Sequence, residues 1–421
     1  MNEHSASVNG ISIYSLTNPN LRSFCLSLYV RAGSIFEDLS NNGISHLFEH
    51  VVFRNIKNKY ENFYELLAMH GLCFQGSTYK KFVSFTIDGP RHEFDFAIEI
   101  LCGLFDEIKL TSHDFNNEKG RIKAEIREKD RRSSLDFYFD SIVWKNSEVE
   151  KIVLGYCKTI DRVSVKRINE FRQKVLSAGN CFVYATGNIS DKNLDALNKK
   201  ISELDISQSN PGFTNTVTVN NEFFHREKKI WIKNNYWHYI QIGFDVDCSK
   251  YPGGVYDLLY ALLFNGDKAL VYNYLSEDNP IIYSYDSTFE QYDNVGNINF
   301  SFEVDRNKIE DVFKTVVELL NAAKDGRFNF EANLNYEMFN WELDLDNPDN
   351  LNWNMAYYNY ILKTQPIDYS DEFYGRFRVT KEQIIDAAKY IFRRCNMTVA
   401  VKGDRKKINA EAIEKILESL D

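Results

Sequence analysis

Proline is scarce in this chain, seven in 421 residues, and no Pro-, Ser- or Gly-rich tract interrupts it, which excludes a low-complexity or linker-dominated organisation. Long hydrophobic runs are missing too. The stretch Val255 to Phe264 is broken by Asp257 and falls far short of the roughly 20 apolar residues that span a bilayer, so no membrane insertion is expected. The seven cysteines form no CxxC pair and no Cys/His zinc spacing; odd in number and mostly set in apolar patterns, they read as reduced, buried thiols. An excess of basic charge is absent. The formal net charge is −10, with Lys and Arg interspersed among Asp and Glu, which argues against a nucleic-acid partner. The opening MNEHSASVNG has neither a basic stretch leading into an apolar core nor an Arg-rich amphipathic pattern, so cytoplasmic residence is the expectation.

The length suits two domains, and a hydrophobic content of 44% with 26% charged residues suits globular folding. An internal repeat supports the division. GISHLFEHVVF from Gly43 lies over GVYDLLYALLF from Gly254 at an offset of 211, with Gly, Leu and Phe in place and the first His, the Glu and the second His replaced by Asp257, Tyr260 and Ala261. SFTID from Ser84 matches SFEVD from Ser301 at an offset of 217, each followed by a helical pattern. Residues 162–187 align without a gap to 378–403, each reading as amphipathic helix, buried strand and Gly stop. The expected fold is α+β: two homologous domains, 1–207 and 225–421, each a largely antiparallel sheet with helices packed on it, joined by a polar Pro-Gly linker at 208–224.

The chemistry concentrates in the first half. Asn41-Asn42-Gly43 signals a turn, and Ile44 onward has the apolar spacing of a largely buried helix. Four residues apart on such a helix, His46 and His50 project from one face, so two imidazole nitrogens can meet one zinc ion. Glu49 lies on the same side, able to act as general base toward a water at the metal without ligating it. A catalytic zinc needs a third protein ligand, often a carboxylate, and the helical stretch NEKGRIKAEIREK supplies Glu125, with Glu128 as the alternative. Glu118, seven residues before Glu125, shares its face and can orient a ligand or bind a substrate amine. Other divalent transition metals also suit such a donor set. Burying two histidines and a carboxylate in an otherwise apolar helix is costly without a partner, and a metal is the natural one.

These residues resemble the pitrilysin-type inverzincin (M16) zinc metallopeptidases, a family that includes insulin-degrading enzyme and the mitochondrial processing peptidases. His46-Leu47-Phe48-Glu49-His50 matches the inverted zinc motif, and Glu118 with Glu125 matches its downstream pair of glutamates. The likeness covers nearly the whole chain and is greatest to the short two-domain subfamily. It implies one Zn²⁺ per chain and a zinc-dependent endopeptidase that cleaves peptides or unfolded precursor segments inside a chamber formed by a dimer. It also implies substrate addition as a strand beside Gln75, Gly76, Ser77 and Thr78, where Gln75 departs from the family's usual Asn. A substrate-contacting Tyr is matched by Tyr283, but the Arg expected seven residues earlier falls on Ser276. That departure favours a heterodimer with a related chain over a homodimer. The alternative function is a non-catalytic or partner-dependent subunit of a heterodimeric processing peptidase.

Overall fold

The computed structural model describes residues 3–420 except 133, 214–216, 228, 364–366 and 368–377; for 129–132 and 134 it describes the backbone alone. Two sheets organise the chain. The first contains β1 (Glu3–Val8), β2 (Ile11–Thr17), β3 (Ser23–Val30), β4 (Cys73–Thr78), β5 (Val83–Pro90) and β6 (Cys181–Gly187), in the spatial order β1-β2-β6-β3-β5-β4. The second contains β7 (Trp231–Asn234), β8 (Tyr239–Asp247), β9 (Asp286–Tyr292), β10 (Val295–Glu303) and β11 (Met397–Gly403), in the order β7-β11-β8-β10-β9. With β1 set aside the two orders are identical. Each sheet also has one parallel pair, β2 with β6 and β7 with β11, among otherwise antiparallel neighbours. The α+β reading with two like, largely antiparallel sheets therefore holds.

The repeat reappears element by element. The helices Val165–Val175 and Lys381–Ile391 lead into β6 and β11, and Ile44–Lys57 and Gly253–Phe264 follow β3 and β8. One face of each sheet packs under helices because its inward strand positions are continuously apolar. Leu26, Leu28 and Phe85 meet Leu47, Phe48 and Val51 in the first half, while Ile240, Ile242 and Phe300 meet Leu259 and Leu262 in the second.

The opposite faces are covered crosswise. Helix Pro348–Met355, from the second half, lies on the first sheet and packs Leu351 and Met355 against Leu16, Tyr29 and Tyr184. Helix Ser134–Val143, from the first half, lies on the second sheet, where Phe139, Val143 and Trp144 pack with Phe223, Tyr292 and Ala400. The segment read from its polarity as a linker takes part: Val217, Val219 and Phe224 pack at the edge of that second cluster. Among the described residues no helix is long and apolar enough to cross a membrane; all seven cysteines are free thiols, but only Cys25, Cys181 and Cys248 are buried and Cys73 is exposed, against the expectation from their apolar settings.

Candidate metal centre

Helix Ile44–Lys57 is set by its N-terminus. Gly43 caps it in the left-handed region, φ 95°, where a Cβ would sit 2.8 Å from the Leu154 carbonyl oxygen, so only glycine fits. The Glu37 carboxylate, 4% exposed, accepts from the backbone N–H of Gly43 (2.7 Å) and Ser45 (2.8 Å) and from the Asn42 side chain (2.8 Å). It satisfies donors the helix start leaves open and places negative charge at the positive end of the helix dipole. Leu47, Phe48 and Val51 are fully buried, which fixes the helix's roll and turns His46, Glu49 and His50 toward β4 and the long helix Ser112–Arg132.

On that side the three expected ligands meet. One donor atom from each of His46, His50 and Glu125 can be chosen so that all lie within 4.8 Å of one another. The Glu125 Oε2 atom is 3.6 Å from His46 Nε2 and 4.0 Å from His50 Nε2, and the two rings stand at 82°. Two imidazole nitrogens and one carboxylate oxygen converging this closely fit a divalent zinc ion with a coordination position left for water or substrate. Glu128 is exposed and outside the cluster, so the alternative third ligand is not the one brought together.

Glu118 is 2% exposed and lies behind the cluster, its Oε2 3.6 Å from His50 Nδ1. That contact orients the imidazole so that Nε2 faces Glu125. Burial works to lower the His50 pKa, but Glu118, Glu49 and Glu125 together raise it. Arg54, one turn beyond His50, donates to Asp114 at 2.6 Å and approaches Glu118 at 3.9 Å, tying the two helices together.

Glu49 stands slightly apart, its Oε2 3.9 Å from His46 Nε2 and accepting from Thr78 Oγ1 at 3.0 Å. Its pKa is raised, mainly by burial, with His50 and the Thr78 hydrogen bond pulling against this and Glu125 adding to it. Gly76 makes room for it: a Cβ there would lie 2.9 Å from both Cγ and Oε1 of Glu49. The expected strand residues Gly76 and Thr78 thus sit beside Glu49, on β4, an edge strand. Ser77 lies between them and Gln75 begins the same segment, its amide directed to the Cys73 sulfur at 3.2 Å.

Tyr283 is not brought to this cluster by any described contact. It is 97% exposed and lines a groove in the second half with Tyr236, Trp237, His238 and Arg306, while Ser276 lies in the π-helical segment Asn273–Glu277. Sequence reasoning missed three positioning residues, Glu37, Arg54 and Asp114. Arg54 had a signal, since it continues the four-residue spacing of His46 and His50; Glu37 had none, because it caps the helix across a turn.

The second half carries a counterpart of the same arrangement in which the histidines are replaced. Asp257 and Tyr260, which replace His46 and Glu49, line a cavity with Ser287, Thr288, Glu337 and Asp344. Tyr260 Oη lies 2.8 Å from Ser287 Oγ, echoing the Glu49–Thr78 contact. The fold supports this pocket without histidines.

Among the described residues the two-histidine, one-glutamate cluster lies in one half of a doubled fold whose helices cross between the halves, a two-lobed architecture with a candidate metal site. The insulinase family (peptidase family M16) matches residues 13–155, and the M16 inactive domain matches residues 162–332. The chain belongs to the M16 peptidase family. It is 21% identical over 324 residues to an uncharacterized zinc protease of Bacillus subtilis, covering 75% of this chain and 77% of that protein. It is 23% identical over 190 residues to the mitochondrial-processing peptidase subunit beta of Saccharomyces cerevisiae, covering 44% and 41%. The chain thus spans under half of this second relative. Among solved structures, a protease from Helicobacter pylori aligns with a TM-score of 0.83 at 18% identity over 96% of this chain and 99% of that one. A chain of complex III2 from Candida albicans aligns with a TM-score of 0.77 at 14% identity, covering 98% and 99%.

Proposed function

We propose that this chain is a zinc-dependent endopeptidase that holds one Zn²⁺ on His46, His50 and Glu125 and cleaves peptides or unfolded precursor segments. The observation that carries this reading is the convergence of those three donors beside a partly buried carboxylate that does not belong to the cluster. Bound zinc would supply Lewis acidity, polarising the scissile carbonyl and lowering the pKa of water. Glu49 accepts the proton of the attacking water and returns it to the leaving amine nitrogen. Burial makes its carboxylate a stronger base than an exposed one, and Thr78 fixes its direction. Edge strand β4 offers free main-chain groups, so an extended peptide can add there and present its carbonyl beside Glu49. Seven free thiols fit a reducing compartment such as the cytoplasm.

Partner dependence is a second reading favoured by one observation. Ser276 stands where the resemblance leads one to expect an arginine, and Tyr283 has no described contact with the metal cluster. A related chain would complete the substrate-contacting wall in a heterodimer, with a homodimer as the less favoured assembly.

The test is zinc content for wild type and His46→Ala, together with cleavage of a peptide library by wild type and Glu49→Gln. Zinc is expected at one per chain in wild type and lost in His46→Ala. Glu49→Gln is expected to keep zinc and lose cleavage by about 10²- to 10⁴-fold; cleavage at the wild-type rate would refute the assignment. For the assembly, full activity of the isolated zinc-loaded chain would reject the heterodimer.

A further inference from the structure

A second site lies on the crosswise-covered face of the first sheet and shares no lining residue with the metal cluster. A cavity of about 120 Å³ opens there, and Arg31, Lys81 and Lys363 all line it. Three cations converging in one small cavity are unusual in a chain of net charge −10. Among the described residues one carboxylate answers them: Asp293, which accepts from Lys81 at 2.7 Å and also acts electrostatically on Arg31. Among the described residues no hydrogen bond or ion pair engages the Arg31 guanidinium or the Lys363 ammonium. Lys81 is 6% exposed and Arg31 is half-buried, so water screens them poorly. Burial lowers the pKa of all three; Asp293 raises those of Lys81 and Arg31, while Arg31 lowers those of Lys81 and Lys363. Partly desolvated like charges held together are stabilised by an anion.

The remaining wall is aromatic. Tyr14 stacks on Tyr360 with ring centroids 3.8 Å apart, and Tyr29 stacks on Phe182 at 5.1 Å; all four line the cavity. We propose that Arg31, Lys81 and Lys363 form a binding site for a small oxyanion, phosphate or carboxylate, whose flat or apolar portion lies against the Tyr14 and Phe182 rings. Guanidinium and ammonium donors suit either oxyanion, and the stacked rings favour one that carries a ring. The volume limits the occupant to a small molecule or the end of a larger one.

This proposal is independent of the peptidase reading, and its test avoids the metal cluster. Full-length His46→Ala protein, in which phosphate has no zinc to bind, is titrated calorimetrically at constant ionic strength with inorganic phosphate, phenyl phosphate and benzoate. Saturable binding of at least one is expected, tighter for the ring-bearing anion than for inorganic phosphate. Comparing phenyl phosphate with benzoate distinguishes the two oxyanion sources. Arg31→Gln and Lys363→Gln, made separately in that background, are each expected to weaken binding about 10- to 100-fold, the size of one charge-assisted hydrogen bond. Lys363 is exposed, so its variant keeps the test valid if Arg31→Gln does not fold. Absence of saturable binding to all three anions, or equal affinity in the Lys363→Gln protein, overturns the proposal.

Discussion

Gly76 shows how one missing side chain shapes the surroundings of Glu49. A methyl group there would press on the Glu49 carboxylate, whose position Thr78 otherwise fixes at 3.0 Å. Gly76→Ala is expected to leave zinc content unchanged and lower kcat by about 10- to 100-fold, since a displacement of about 1 Å costs rate on that scale. An unchanged kcat would show that Glu49 tolerates the shift. Asp88 makes a separate prediction at this scale. Paired with Cys25 across β3 and β5 and facing Asp349, it has a pKa raised to about 6, mainly by burial and next by the Asp349 charge. A carboxyl whose folded pKa exceeds its unfolded value stabilises the fold most when protonated. That contribution is complete below about pH 4 and is lost as pH rises through about 6. Asp88→Asn should therefore raise stability at pH 8 by at most about 3 kcal/mol, with the gain vanishing near pH 4. Denaturant unfolding at the two pH values checks this, and a gain that grew on acidification would contradict it.

At the scale of elements, the pair of crossing helices does what neither sheet can do alone. Asn352 on Pro348–Met355 is fully buried; it accepts from the Tyr29 hydroxyl at 2.8 Å and donates to the Tyr184 carbonyl oxygen at 2.9 Å. These bonds pin a second-half helix to two first-half strands. Replacing Asn352 by Ala leaves a buried hydroxyl and a buried carbonyl short of a partner, so a loss of about 2–4 kcal/mol is expected. A change below about 0.5 kcal/mol in chemical denaturation would mean the helix docks by apolar packing alone. The histidine and glutamate helices were legible from spacing, because ligand geometry and helical periodicity leave a regular imprint. Their clamp was not: Arg54 to Asp114 spans 60 positions, and nothing local announces such a pair.

For the whole molecule, crosswise covering implies that the halves stabilise each other. The first sheet without Leu351 and Met355 would expose Leu16, Tyr29 and Tyr184, an apolar face of the kind that aggregates. The second without Phe139 and Trp144 would lose the cover over Tyr292 and Ala400. Calorimetry of the intact chain should show one cooperative transition, and residues 1–207 expressed alone should be insoluble or bind a hydrophobic dye. Two well-separated transitions would show that the halves are energetically independent.

The sequence by itself determined the doubled plan and the donor set. Apolar periodicity, the repeat at offsets of 211 to 217, and the four-residue spacing of His46 and His50 are all local or translational patterns that a linear string preserves. Tertiary structure alone decided the rest. It put Glu37 at the helix start, placed Tyr283 in an exposed groove of the second half, covered each sheet with the other half's helix, and gathered Arg31, Lys81 and Lys363 into one cavity. Each of these depends on which distant surfaces bury each other. That choice is made by packing and charge in three dimensions, and residues 31, 81 and 363 carry no mark of it in their neighbours along the chain.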